Sequence, residues 1–256
     1  MILLLNTTKT MNLNCSVSSD LDVTEPCFLD KTQLLAKKIA EMSIAQLTDL
    51  MSLSDKLAAE TRETVLLWGE EGSPKVSALF GFTGLLFQNF DVVSLSKDQL
   101  DAAQKKVRIL SGLYGLLRPM DMIEAYRCEM GLKLKTGKIK NLTEFWKETL
   151  TESLNKDLKE NEPIISVASQ EYMKALDIKK LNGPVISPVF KEQHPNGAYK
   201  NVVVHAKKAR GALLRYALEN NAEHPQDLAG FNTMGWRATQ KAPETGSWLF
   251  TRPVSS

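Results

Sequence analysis

The sequence predicts a single α/β domain over residues 1–256, a mixed β-sheet surrounded by many helices. Three observations carry this prediction. Short apolar runs of strand length alternate with longer segments whose apolar residues repeat at helical spacing. The turn Pro195-Asn196-Gly197 lies between two such runs and signals a hairpin, so the sheet is not purely parallel. No internal repeat, low-complexity run or linker divides the chain, and its 256 residues are ample for one sizeable core.

The elements follow in order. Residues 2–5 read as a buried strand, followed by the polar loop "NTTKT". Residues 14–29 lack periodicity, with Ser18-Ser19-Asp20 and Pro26 as breakers. "DKTQLLAKKIAEM" is an amphipathic helix with Asp30 placed as its cap, and "SIAQLTDLM" a short one. "SDKLAAETRETVLLW" is capped by Ser54 and closed by Gly69. "SPKVSALFGFTGLLFQNF" predicts a buried helix broken near residues 81–84. "SKDQLDAAQKKVRIL" is the strongest helical signal, with Ser96 as cap, acids in its first turns and Lys105, Lys106 and Arg108 toward its end. Next come the glycine turn, a short strand "GLKLK" and the long helix "NLTEFWKETLTESLNKDLKEN". The remainder alternates: strand "PIISVAS", helix "QEYMKAL", strand "PVISPVF", strand "YKNVVVH", helix "AKKARGALLRYALEN" and strand "SWLFTRP".

Composition narrows the function classes. The net charge of +2 excludes a polycation, so any affinity for nucleic acid must come from a local patch. The longest apolar run is five residues, too short for a membrane span or the core of a secretory signal. A cytoplasmic protein without membrane contact is expected. Cys15, Cys27 and Cys128 form no CxxC pair, and His194, His205 and His224 have no metal-ligand spacing. No structural metal, disulfide or cofactor is expected.

Four segments could carry chemistry. In "LSGLYGLLRP", Gly112, Tyr114 and Gly115 follow a basic run and precede Arg118. This is the layout of a helix-hairpin-helix nucleic-acid binder, with Gly112 ending the first helix. Backbone N–H groups and Lys105, Lys106, Arg108 and Arg118 would meet phosphate without reading base sequence. A packing corner between helices would need the same glycines. In "HAKKARGALLRY", Lys207, Lys208, Arg210 and Arg215 put four cations into nine residues near a helix start. That opposes the helix dipole and points to an anionic partner. Lys9 among Thr7, Thr8 and Thr10 is a donor set at a strand end. Glu171, Tyr172 and Lys174 follow another strand, while Asp55 and Lys56 open a helix; all five could line a cleft.

Together "ILSGLYGLLRPMDMIEAYRCEMG", "VASQEYMKAL" and "AKKARGALLRY", with "TTKT" and "SDKLA", resemble the peroxide stress protein YaaA family from residue 1 to about residue 252. The resemblance implies a bacterial cytosolic protein of the response to hydrogen peroxide. It also implies a single α/β domain with a helix-hairpin-helix element and a positive cleft, DNA binding, and a part in keeping intracellular iron low. Carried onto this chain, it marks Lys9, Asp55, Lys56, Gly112, Tyr114, Gly115, Arg118, Pro119 and Arg127. It also marks Glu171, Tyr172, Lys174, Lys207, Lys208 and Arg210. The chain departs from the family pattern at Asn6-Thr7-Thr8, where Ser-Pro-Ala is usual, and at residues 81–84, where an acid and an aromatic are usual.

Three functions are weighed; an iron-handling protein is disfavoured by the scarcity of His and Cys, although carboxylates could bind iron weakly, and two others stand side by side. The first is a non-enzymatic protein that binds double-stranded DNA through phosphate contacts. The second is an enzyme acting on a nucleotide or another phosphorylated small molecule in the same cleft, with Glu171 and Tyr172 moving protons. The arrangement of the motifs discriminates: a closed pocket favours the second, an open groove of duplex width the first.

Overall fold

A computed structural model describes residues 1–15 and 21–254. The breakers expected at Ser18-Ser19-Asp20 lie outside the described residues. In chain order the elements are β1 (Ile2–Asn6), α1 (Leu29–Ala40), α2 (Ile44–Met51), α3 (Asp55–Leu66), β2 (Lys75–Ser77), α4 (Ala78–Gly81) and α5 (Leu85–Phe90). Then come α6 (Lys97–Lys106), β3 (Val107–Ser111), β4 (Gly115–Leu117), β5 (Met122–Glu124), α7 (Leu142–Asp157), β6 (Ile164–Ser166) and α8 (Gln170–Met173). Last are β7 (Val185–Gln193), β8 (Tyr199–Lys200), α9 (Val203–Glu219), β9 (Arg237–Ala238) and β10 (Gly246–Pro253).

The main sheet runs β4-β3-β1-β6-β7-β10-β9, with β8 paired to β7; β2 and β5 form a separate ribbon. Strands β3, β1, β6, β7 and β10 are mutually parallel, while β4, β8 and β9 are antiparallel to their partners. β1 sits inside because residues 1–5 carry no polar side chain, and a parallel strand is covered on both faces. The chain builds the sheet outward from β1 in both directions, to β3 on one side and β6 on the other. The carboxyl ends of β1 and β6 therefore flank a reversal of strand order, the place where open α/β sheets hold ligands.

Local rules held where caps were explicit. Ser43 and Ser96 each form a capping box, with Gln46 and Gln99, and Ser54 accepts from the Leu57 N–H. α1 differs slightly: it starts at Leu29, so Asp30 lies in its first turn rather than at the cap. The chain does break between Gly81 and Gly84, but residues 75–77 of that segment form β2.

Three elements differ from expectation. The helix predicted through residue 110 ends at Lys106, and Val107–Ser111 becomes β3. Val107 and Ile109 are β-branched, and the open edge of β1 pairs with residues 107–110 in register, so sheet burial overrides helical pattern. "GLKLK" forms no strand; Leu132 and Leu134 are buried as anchors of a loop. "YKNVVVH" was expected as a strand, yet only Tyr199–Lys200 is extended and the helix starts at Val203. Val203 and Val204 are exposed, so nothing buries a strand there. The helical face of Ala206, Ala209, Leu213 and Ala217 packs inward instead. Gly211 allows this close approach: a Cβ there would overlap the Leu86 carbonyl of α5.

Candidate functional site

The glycine turn is a corner of the core. Residues 112–115 connect β3 to β4, so at this place a β-hairpin stands where two helices were expected. Gly112, Leu113, Tyr114 and Gly115 are all buried. The N–H groups of Leu113 and Tyr114 donate to Ser111 Oγ at 3.2 and 3.0 Å, so they are not free for an anion. The Gly112 carbonyl accepts from Trp146 Nε1 at 2.9 Å. A Cβ on Gly112 would overlap the Cys128 carbonyl, and one on Gly115 would lie 2.7 Å from the Trp146 ring. Gly115 also holds a φ of +76°, which resists any side chain. Tyr114 uses its hydroxyl internally, accepting from Trp68 Nε1 and the Glu124 N–H.

The neighbouring cations are also partnered. Arg108 is buried; its Nε donates to Asp157, and its Nη1 donates to the carbonyls of Gln104, Lys105 and Val107. It closes the C-terminus of α6. Lys106 binds Glu223 at 2.5 Å and the Ala222 carbonyl. Arg118 binds the buried Asp121 and the Glu25 carbonyl. Lys105 alone of this run is exposed. Arg118 was expected to converge with Lys9 and residues 207–210; it does not line their pocket.

That pocket, about 470 Å³, lies at the carboxyl ends of β1 and β6. The loop after β1 contributes Asn6 to Thr10, the β6–α8 junction contributes Val167, Ser169, Glu171 and Tyr172, and α9 contributes Lys207 and Arg210. Glu129 and residues 84–86 complete it. The volume is that of a small-molecule site. Sequence reasoning thus assembled Lys9, Glu171, Tyr172, Lys207 and Arg210 from three distant segments. It missed Glu129 as a pocket residue, which follows Cys128 in a stretch without regular secondary structure and carries no spacing signal. Lys208 is half-buried outside the pocket, and Asp55 and Lys56 are exposed at the start of α3. Lys174 lines a different, shallow cavity with Lys147 and Lys179. Arg127 lines a small cavity that adjoins the main one through Lys9.

Polar groups in the pocket fall into two sets. The first is internally satisfied. Lys9 pairs with Glu129 at 2.9 Å, and Thr83 Oγ1 and Thr10 Oγ1 bond at 2.8 Å. Tyr172 shares a hydrogen bond with Thr7 Oγ1 at 3.1 Å, and the Ser169 N–H donates to Asn6 Oδ1 at 2.8 Å. Burial pushes the Tyr172 hydroxyl well above its ordinary pKa, so it stays neutral. Burial raises the neighbouring Cys128 thiol in the same way, which leaves it without thiolate reactivity.

The second set has hydrogen-bonding capacity that no protein group meets. Arg210 Nε is buried with no acceptor, and desolvation lowers the guanidinium pKa from its ordinary value. Among the described residues neither Lys207 nor Arg210 forms an ion pair. Glu171 accepts from the Gly131 N–H at 2.8 Å through Oε1 and forms no ion pair among the described residues. Arg210 as a whole is half-buried, and a buried Nε–H without an acceptor is costly unless a ligand supplies one. Among the described residues no group of three or more His, Cys, Asp or Glu could hold a metal ion, and no helix is long and apolar enough to cross a membrane.

Comparison with known proteins gives a consistent result. A family model described as "Peroxide stress protein YaaA" matches residues 1–242. A UPF0246 protein of Flavobacterium johnsoniae is 42% identical over 231 residues, covering 90% of this chain and 91% of its own. A UPF0246 protein of a Marinomonas species is 38% identical over 99% of this chain and 97% of its own. One from Neisseria meningitidis is 37% identical over 90% of each.

Proposed function

The chain belongs to the peroxide stress protein YaaA family, and from that premise we propose that it serves the peroxide response in the cytoplasm by binding a phosphate-bearing small molecule in the pocket between β1 and β6. The observation that carries this reading is Arg210: a guanidinium with a buried, acceptorless Nε, beside Lys207, in a cavity of small-molecule size. Phosphate complements arginine: its oxygens accept from the planar guanidinium fork and its charge is opposite. For proton transfer the site offers Glu171 rather than Tyr172, whose hydroxyl is neutral and bonded to Thr7.

A second reading, double-stranded DNA, is favoured by one observation: Lys9 lines both the main pocket and the adjoining cavity that contains Arg127. Arg127, Lys9 and Lys207 would then form a track for a phosphate backbone. The glycine turn plays no part in it.

Thermal unfolding with adenosine monophosphate separates these readings from each other. A ligand at a hundred times its Kd stabilises by about 2.7 kcal/mol. The small-molecule reading expects that stabilisation in the wild type and its loss in Arg210→Met. If the nucleotide does nothing while a short duplex binds with a salt dependence that weakens in Arg127→Ala, DNA is the ligand.

A further inference from the structure

We propose that the pocket's ligand is a sugar phosphate with a free vicinal diol, its phosphate on Arg210 and Lys207 and its hydroxyls on Glu171. The inference rests on the phosphate-binding reading above and adds what sits at the other end of the ligand.

The argument begins with charge. The pocket contains the cations Lys9, Lys207 and Arg210 and the anions Glu129 and Glu171. Lys9 and Glu129 neutralise each other at 2.9 Å. Two cations and one carboxylate remain, and they do not pair among themselves. Glu171 accepts from the Gly131 N–H at 2.8 Å through Oε1, which leaves its other oxygen without a protein partner among the described residues. Arg210 on α9 has a buried Nε with no hydrogen-bond partner. A ligand that satisfies this site carries an anion at one end and hydrogen-bond donors at the other.

The lining decides the class of donor. The pocket that contains Glu171 is also lined by Ser169, whose hydroxyl makes no hydrogen bond among the described residues, and by Thr7, Thr8, Thr10 and Asn6, whose polar groups already have protein partners. The single aromatic in the lining is Tyr172, which is buried with its hydroxyl bonded to Thr7, so no exposed ring is set to stack on a base. The chemistry is that of a polyol recognised by its hydroxyls. A carboxylate near a phosphate cradle, at the carboxyl ends of parallel strands, is also how open α/β sheets hold a ribose diol.

The test compares ribose 5-phosphate with 2-deoxyribose 5-phosphate, by calorimetric titration of the wild type, Glu171→Gln and Arg210→Met. A site built to bond a hydroxyl discriminates against the analogue that lacks it. The wild type is expected to bind the ribose compound about tenfold more tightly, the worth of one hydrogen bond to a charged group. Glu171→Gln should bring the two within about twofold while still binding both, and Arg210→Met should weaken both by about tenfold or more. Far-ultraviolet circular dichroism checks that both variants are folded. Equal wild-type affinities for the two sugars, still lost in Arg210→Met, would overturn the diol assignment and leave phosphate binding intact. Failure of both sugars to bind the wild type would overturn the phosphate reading itself, and this inference with it.

Discussion

The glycine turn at residues 112–115 and the pocket at the ends of β1 and β6 look alike as sequence. Each joins glycine or hydroxyl residues to lysines and arginines. In the fold they are opposites. The turn's N–H groups donate to Ser111, its carbonyl accepts from Trp146, and the cations around it bind Asp157, Glu223 and Asp121. In the pocket Arg210 has no acceptor and Glu171 keeps an oxygen without a protein partner among the described residues. A basic, flexible motif is available to a ligand only where the fold has not already satisfied it.

That contrast can be broken by experiment, the most disruptive first. Gly115→Val should destabilise the fold by about 4 kcal/mol, combining strain at a positive φ with overpacking against Trp146. Urea unfolding measures it. A variant with near wild-type stability would show that the turn is not a packing corner.

A satisfied carboxylate should behave unlike Glu171. Glu192 is buried on β7 and accepts from Arg252 at 2.7 and 3.0 Å and from His205 at 2.8 Å. Burial alone would raise its pKa, but the hydrogen bonds from Arg252 and His205 outweigh it and hold the group below its ordinary 4.5. A lowered folded-state pKa contributes stability that is present above pH 4.5 and lost as the pH falls through the lower, folded value. Glu192→Gln should cost about 2 kcal/mol at pH 7, and the gap to wild type should narrow below pH 4.5. Unfolding at a series of pH values tests this; a constant gap would contradict it.

Arg210→Met should leave unfolding free energy within about 0.5 kcal/mol of wild type or raise it, because it removes a buried donor without an acceptor. A loss of several kcal/mol would mean that the guanidinium has a structural partner in the protein. The smallest effect belongs to Lys105→Ala with Lys106→Ala. The double variant forfeits one ion pair, to the exposed Glu223, and little stability. Duplex affinity and its salt dependence should not change. A slope shallower by about 0.9 per lysine would return the α6–β3 junction to phosphate binding.

Much of this protein was readable before folding. The apolar alternation specified a mixed α/β sheet, Ser54 and Ser96 marked helix starts through local hydrogen bonds, and the Pro195-Asn196-Gly197 turn pairs β7 with β8. These depend on neighbours within a few residues, so sequence spacing suffices to determine them. Lys9, Glu171, Lys207 and Arg210 were legible as candidates because each follows or precedes a strand. Their convergence, and the exclusion of Arg118 from it, was decided by the strand order around β1. So was the fate of Val107–Ser111, which left its helix for the edge of β1. Whether a donor or a charge is already satisfied depends on partners such as Asp157, Trp146 and Glu223, tens of residues away, and only the tertiary structure brings those together.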